Sequence, residues 1–365
     1  MGRRSKKEVQ ALAGATSPLP CDAATRVLAA EAMLKRLEAM AGEADGVALA
    51  DDVECVHRMR VASRRLRTAL ELFGDCFPAR RVKGWAKEVR RITKSLGQAR
   101  DADVQILFVE EFLAGVEDPA ARPGLARLLL RLRQHRQALQ RGVLEMLDRL
   151  RESGLVDEMI HYLLRVRARE RLAADQDQTG LTPVLLRRAV AEITARLEEL
   201  LAYEPFLDQP QAAAEHHAMR IAAKHLRYAM EIFEPLHERA LGEAVRAARK
   251  FQTALGEIHD CDVWLQRLPE FLDQERQRAI DYSGSARGQG RLRAGIHLLE
   301  RDSAARRSER FEQLRRDWAR CARKGVWRDM LAALSEPPPP AAPAQDEDRS
   351  AEAGAPPPTA PEEGE

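Results

Sequence analysis

Four basic residues, His57, Arg60, Arg64 and Arg67, fall at i, i+3, i+7 and i+10. At 100° per residue they form one helical row about 15 Å long, confined to roughly 80° of arc. Arg58 and Arg65 flank the row, and no acid lies between residues 55 and 70. Like charges at i+3 and i+4 each cost a helix about 0.2–0.5 kcal/mol, and an ordinary solvated face mixes Glu with Lys. Two explanations fit. In one, acids from neighbouring helices neutralise the row or it is simply a hydrated basic face; in the other, an external polyanion supplies the negative charge. Arg offers forked donors that match phosphate oxygens, and Lys a point charge. Several in a row suit a ligand with many phosphates better than a single small one.

The pattern occurs twice. Residues 57–73 align without gaps to residues 217–233, and nine of seventeen positions are identical, from His57/His217 to Glu71/Glu231 and Phe73/Phe233. The second row reads His217, Arg220, Lys224 and Arg227, while the flanks become Ala218 and His225. A second block, Leu96–Val104, aligns to Leu255–Val263; the offset is 160 in the first block and 159 in the second. Two collinear blocks at nearly one offset define a tandem duplication.

Further bases sit on the next helix. Arg90, Arg91 and Lys94 share a face with Lys87, and the second copy keeps Arg249 and Lys250 but has Thr253 for Lys94. They are expected to extend the site. Arg131, Arg133, Arg136, Arg306, Arg307 and Arg310 are further candidates on long helices. Asp101, Asp103, Asp260 and Asp262 could ligate metal, but capping a new helix after Gly97 and Gly256, or pairing with Arg, explains them better. His259-Asp260 resembles the doublet of metal-dependent phosphohydrolases, with His225, His237 and Asp281 as conceivable partners. The other copy reads Arg100-Asp101, and Arg does not ligate metal, so the doublet reads as a variant of a structural motif. Nucleic acid is disfavoured by the few aromatics, none interleaved with the rows.

The elements that must carry these rows are helices. Apolar residues recur at helical spacing over 22–43, 54–73, 82–96, 103–113, 124–150 and 156–174. They recur again over 184–202, 215–233, 240–255, 262–279 and 291–332. The fold class expected is all-α: two helical bundles side by side, one from each copy of the tandem duplication. The bundles are placed at 21–175 and 184–334, with a linker at 176–183. A basic arm occupies 1–20, and a Pro/Ala-rich acidic tail expected to be disordered occupies 335–365. Residues 336–365 carry eight acids and one base, a net −7, so residues 1–335 carry +9 of a chain total of +2. A basic body suggests an anionic partner, and the tail is expected to shield the basic site mildly. The five cysteines show no CxxC spacing and read as reduced. No signal peptide and no apolar run of about 20 residues is visible, so the default expectation is cytoplasm.

The blocks His57-x-x-Arg60-x-x-x-Arg64-Arg65-Leu66-Arg67 and Leu96-Gly97-x-x-Arg100-Asp101-x-Asp103-Val104, present twice, resemble the CHAD domain, the conserved histidine α-helical domain. The resemblance covers about residues 20 to 333. It implies two pseudo-symmetric helical bundles meeting around a basic groove or pore, binding of inorganic polyphosphate and an association with polyphosphate granules. Carried over by position, the binding residues are His57, Arg60, Arg64, Arg67, His217, Arg220, Lys224 and Arg227, joined by Arg90, Arg91, Lys94, Arg249 and Lys250. The function implied is non-catalytic, with no catalytic residue, cofactor or metal, no specific nucleic acid and no membrane partner. The departures are His225 for Arg65 and His259 for Arg100, which make equal use of the two halves doubtful. Relatives fused to a triphosphate-tunnel hydrolase domain carry an ExExK strand, which this sequence lacks.

Overall fold

The computed structural model describes residues 19–49, 52–173 and 181–335, except the side chains of 238–240. The basic arm's first eighteen residues, most of the expected linker and nearly all of the acidic tail lie outside them. Among the described residues the chain is all-α. The first half contains α1 (Ala23–Ala41), a short α2 (Ala44–Leu49), α3 (Val53–Phe73), α4 (Ala79–Ala114), α5 (Arg122–Glu152) and α6 (Leu155–Ala173). The second contains α7 (Pro183–Leu201), α8 (Ala213–Phe233), α9 (Glu238–Ser283), α10 (Gly290–Lys324) and α11 (Val326–Ser335).

Capping starts the helices where side-chain oxygens meet the free N–H groups of a first turn. Asp22 accepts from Thr25 N at 2.9 Å, Asp52 from Glu54 N at 2.8 Å and Thr182 from Leu185 N at 3.2 Å. The apolar stripe of the first row's helix packs as its spacing predicts: Met59, Leu66, Leu70 and Phe73 are buried, as are Ala62 and Ala69. Their equivalents on α8, Met219, Leu226, Met230 and Phe233, are buried too.

Corresponding helices pack alike. Helix α3 lies between α1 and α4, and α8 lies between α7 and α9. Helix α6 covers α1, α11 touches α7, and α3 packs directly on α8. Three contacts join a residue to its own repeat equivalent or to that equivalent's charge field. Thr182 donates to Asp22 at 2.5 Å, the Phe73 and Phe233 rings meet edge-on at 5.6 Å, and Arg64 acts electrostatically on Lys224. One buried cluster runs through both halves, and a smaller one joins α4, α5, α9 and α10.

Three boundaries differ from the periodicity reading. The expected helices 82–96 and 103–113 are one helix of 36 residues, and 240–255 and 262–279 are one of 46. Gly97 and Gly256 do not stop them. A mid-helix Gly costs about 1 kcal/mol against Ala, and packing at both positions overrides it. The capping role for the Asp residues that follow falls with the missing breaks. The expected helix 291–332 instead divides at Gly325, whose φ of 69° closes α10 in the left-handed region.

The cysteines are also corrected. Cys21 and Cys76 form a disulfide, because the start of α1 and the turn after α3 bring their Cα atoms to 5.6 Å. Cys55, Cys261 and Cys321 are free and buried. Among the described residues no helix is long and apolar enough to cross a membrane.

Candidate anion-binding cleft

The two rows converge because α3 and α8 pack against each other with their basic faces turned the same way. Arg64 and Arg65 of α3 and Arg227 of α8 all approach the Tyr228 ring, at 5.9, 5.9 and 4.7 Å from its centroid. Arg64, Arg67 and Arg220 all act on Lys224. Lys224 is the most perturbed cation of the row. Burial, then Arg64, Arg220 and Arg67, bring its amine down to about 7. Burial likewise lowers Arg64, where Tyr228 opposes the shift and Arg60 and Arg227 add to it. Burial lowers Arg220, with Asp260 opposing. His57 is lowered by burial and then by Arg100. Next to the row, burial and Lys224 bring His225 down to about 4.

The glycines of the second repeat block position the row. A Cβ on Gly97 would stand 3.5 Å from Arg60 Nε, and a Cβ on Gly256 would stand 3.5 Å from Arg220 Nε. Each guanidinium therefore lies flat against the neighbouring helix where that helix has no side chain. Both Nε atoms are buried without a hydrogen-bond partner. The other end of Arg60 reaches Asp101 at 3.4 Å.

Acids of the same helices and of neighbouring ones neutralise part of the two rows. Arg67 meets Glu71 at 3.6 Å and Arg227 meets Glu231 at 3.1 Å, each one turn along its own helix. Glu231 also takes Arg65 at 3.1 Å and Arg249 at 3.8 Å. Among the described residues, no carboxylate comes within 4.0 Å of Arg64, Arg220 or Lys224. The middle of the cleft thus keeps positive charge that the protein does not neutralise at contact distance.

The remaining candidates divide. Arg90 and Lys94 are exposed. Arg91 is paired with Glu88 at 2.6 Å and Lys250 with Asp317 at 2.6 Å. Arg249, Lys250 and Thr253 line an outer cavity of about 390 Å³ with Arg246 and Arg310. The long-helix arginines hold the scaffold. Arg136 binds Asp103 at 2.6 Å, and in the other repeat Arg307 binds Asp262 at 2.5 Å. Arg131, Arg133, Arg306 and Arg310 pair with Glu275, Glu110, Asp302 and Glu257. His217 and His259 pack together, Nδ1 to Nδ1 at 3.2 Å. Among the described residues no three His, Cys, Asp or Glu are grouped to hold a metal ion, and the conceivable set of His225, His237, His259, Asp260 and Asp281 is not assembled.

The sequence reading passed over Arg36 and Arg196. They occupy the same position in α1 and α7, and both turn a guanidinium onto a carbonyl of their own helix, Ala32 O at 2.8 Å and Glu192 O at 3.0 Å. Burial and Arg65 bring Arg36 down to about 10, with Glu231 opposing, and Arg196 acts on His225. Both therefore belong to the cleft's charge field. The offset of 160, carried back to the first helix, pairs them. Glu231 was visible as a repeat identity, but not as the acid that gathers cations.

The fold and cleft define a class: an all-α protein whose two similar halves present a shared cationic surface. The CHAD domain family model matches residues 31–269, which include both rows, and the chain belongs to that family. A crystal structure of the CHAD domain from the plant Ricinus communis is similar at a TM-score of 0.57 and 22% identity, covering 83% of this chain and 93% of that one. At that identity the likeness bears on the fold. Among curated proteins none matches. The family is associated with polyphosphate binding in general.

Proposed function

We propose that this chain binds inorganic polyphosphate, without catalysis, in the cleft between α3 and α8. The observation that carries the reading is the half-buried trio Arg64, Arg220 and Lys224, supplied by both halves, with no carboxylate of the described residues within 4.0 Å. Guanidinium and ammonium groups held this way favour an anion with closely spaced charges. Arg60, Arg67 and Arg227 stand at the margins, already paired, and exchange a carboxylate for a phosphate when the ligand arrives. His57 and His217 occupy the N-terminal end of each row. Arg90, Arg91, Lys94, Arg249 and Lys250 form an outer rim for a chain that runs past the cleft, with Arg91 and Lys250 the most weakly available. Cytoplasmic location and association with polyphosphate granules belong to the same proposal.

A single-stranded nucleic acid is less suited. The aromatic ring nearest the cations, Tyr228, is 3% exposed and offers no face for a base.

The test is a polyphosphate titration of the wild type and of the double variant Arg60→Ala, Arg220→Ala over a range of salt. With roughly six to ten phosphate contacts the affinity falls steeply as salt rises, and the double variant has a shallower slope at unchanged helicity. Polyphosphate displaces DNA at much lower phosphate concentration. A salt-independent affinity, or DNA as the better ligand, refutes the reading.

A further inference from the structure

Three positions that hold arginine in the first repeat hold a titratable residue in the second. Arg64 becomes Lys224, Arg65 becomes His225 and Arg100 becomes His259. The reverse exchange occurs nowhere in the aligned blocks. The guanidinium keeps its charge at any ordinary pH, whereas an amine or an imidazole does not.

Lys224 and His225 are neighbours on α8, and His259 of α9 stands against His217 at the start of the same row. Lys224 lies one helical turn before Tyr228, whose ring Arg64 of α3 and Arg227 of α8 approach at 5.9 and 4.7 Å, and the charges of Arg64, Arg220 and Arg67 act on its amine. The acids acting on it are Glu71 of α3 and Glu199 of α7, and neither lies within 4.0 Å. Glu199 is itself raised by burial, which weakens it as a counter-charge. His225 faces Lys224, Arg196 of α7, and Arg67 and Arg64 of α3. His259 stands against His217 at 3.2 Å and faces Arg220, Asp262 and Asp101, whereas its counterpart Arg100 reaches Glu54 at 3.3 Å.

We propose that the second half is the proton-loading half of the cleft: a bound polyanion draws a proton onto Lys224, so affinity falls as pH rises above neutrality. The physical basis is the charge balance at one amine. With three guanidinium groups acting on it and no carboxylate of the described residues within 4.0 Å, Lys224 releases its proton far more readily than a surface lysine. A phosphate chain laid along the row supplies the missing negative charge and restores the proton. An amine that titrates near 7 in the free protein agrees with this. The first half, with Arg64 at the same position, is a fixed anchor; the second is adjustable.

The inference rests on polyphosphate binding in the cleft. The test is titration calorimetry of the full chain with long-chain polyphosphate, whose internal phosphates carry no proton above neutral pH. It is run at pH 8 and fixed ionic strength in buffers of different ionisation heat. The wild type takes up between about half a proton and one proton per cleft, and between pH 7.5 and 9 its affinity falls by up to about tenfold per pH unit. Lys224→Arg, which places the first repeat's own residue at this position, binds more tightly than wild type at pH 8 and takes up little or no proton. Lys224→Met binds more weakly and also takes up little or none. Binding by the wild type without proton uptake overturns the proposal and leaves the polyphosphate reading standing. Equal uptake by Lys224→Arg and wild type overturns it too. No binding at any pH removes both.

Discussion

Arg64 and Lys224 occupy one position in two repeats, and Arg64 is the largest single charge acting on Lys224. A cation thus stands in the field of its own repeat equivalent. Arg64→Ala removes that charge, so the half-point of Lys224 rises from about 7. Recovery toward an ordinary lysine is partial, because burial is the larger cause and remains. The pH dependence of Lys224 acylation, followed by peptide mass spectrometry, reports the half-point directly.

The same shift makes stability depend on pH. The folded chain gives up the Lys224 proton at about 7, whereas the unfolded chain keeps it to 10.5. Between those values the unfolded state binds more protons, so this group's contribution to stability rises with pH. Below pH 7 its full penalty is present. Lys224→Met carries no such penalty. Its stability relative to wild type is expected to be highest below pH 7 and to decline toward pH 10, as read from urea unfolding midpoints at fixed salt.

Glu231 holds the opposite end of the cleft. Its half-buried carboxylate meets Arg65, Arg227 and Arg249 and also lies in the field of Arg36. Its repeat equivalent Glu71 is about half exposed and meets Arg67 at 3.6 Å. Glu231→Gln is expected to lose about 1–3 kcal/mol of stability, the scale for stripping a partner from buried charged groups. It is also expected to bind polyphosphate several-fold more tightly at low salt, because cations are released to the ligand. Glu71→Gln is expected to change stability by no more than about 1 kcal/mol. Urea unfolding and titration of both variants separate the two effects.

The rows themselves were legible because their period matches a helix and the repeat displays it twice. The convergence of the rows was not. It depends on α3 packing against α8 around Phe73 and Phe233, a contact between residues 160 positions apart. The continuity of α4 and α9 was hidden for a similar reason. A glycine in a sequence reads as a break, and the Arg60 guanidinium that fills the space beside Gly97 comes from another helix. Glu231 was read only as an identity, since its cations arrive from α1, α3, α8 and α9. Periodicity exposes what one helix does alone; neutralisation of its charge depends on its neighbours.

The Cys21–Cys76 disulfide closes a segment that contains all of α3 and so the whole first row. The same corner is held by the buried Arg188, which donates to Leu72 O at 2.7 Å and to Asp75. Cys21→Ser is therefore expected to destabilise the fold by about 2–4 kcal/mol under oxidising conditions and to make no difference in the presence of reductant. Urea unfolding with and without reductant measures this, and non-reducing peptide mapping checks the pairing.

The tightest surroundings of any described glycine join α5 and α10, helices that carry none of the row residues, and a substitution there tests whether scaffold and site are separable. Gly124 of α5 and Gly295 of α10 face each other's helices. A Cβ on Gly124 would fall 2.1 Å from Leu292 O, and one on Gly295 would fall 2.0 Å from Ala121 O. Neither atom is a side-chain end that could swing aside, so the two helices would have to move apart. Each Gly→Ala change adds helix propensity worth about 1 kcal/mol, but the overpacking it creates costs about 1–3 kcal/mol. The net expectation is a loss of stability in each single variant. In the double variant the losses are smaller than additive, because one separation of α5 from α10 relieves both clashes. Polyphosphate affinity should stay within twofold of wild type while the chain is folded, since none of the row residues touches this crossing. Urea unfolding and titration on the same preparations decide the point: a fully additive double variant would show that the clashes are relieved independently, and a large drop in affinity would show that the α5–α10 crossing sets the spacing of the rows.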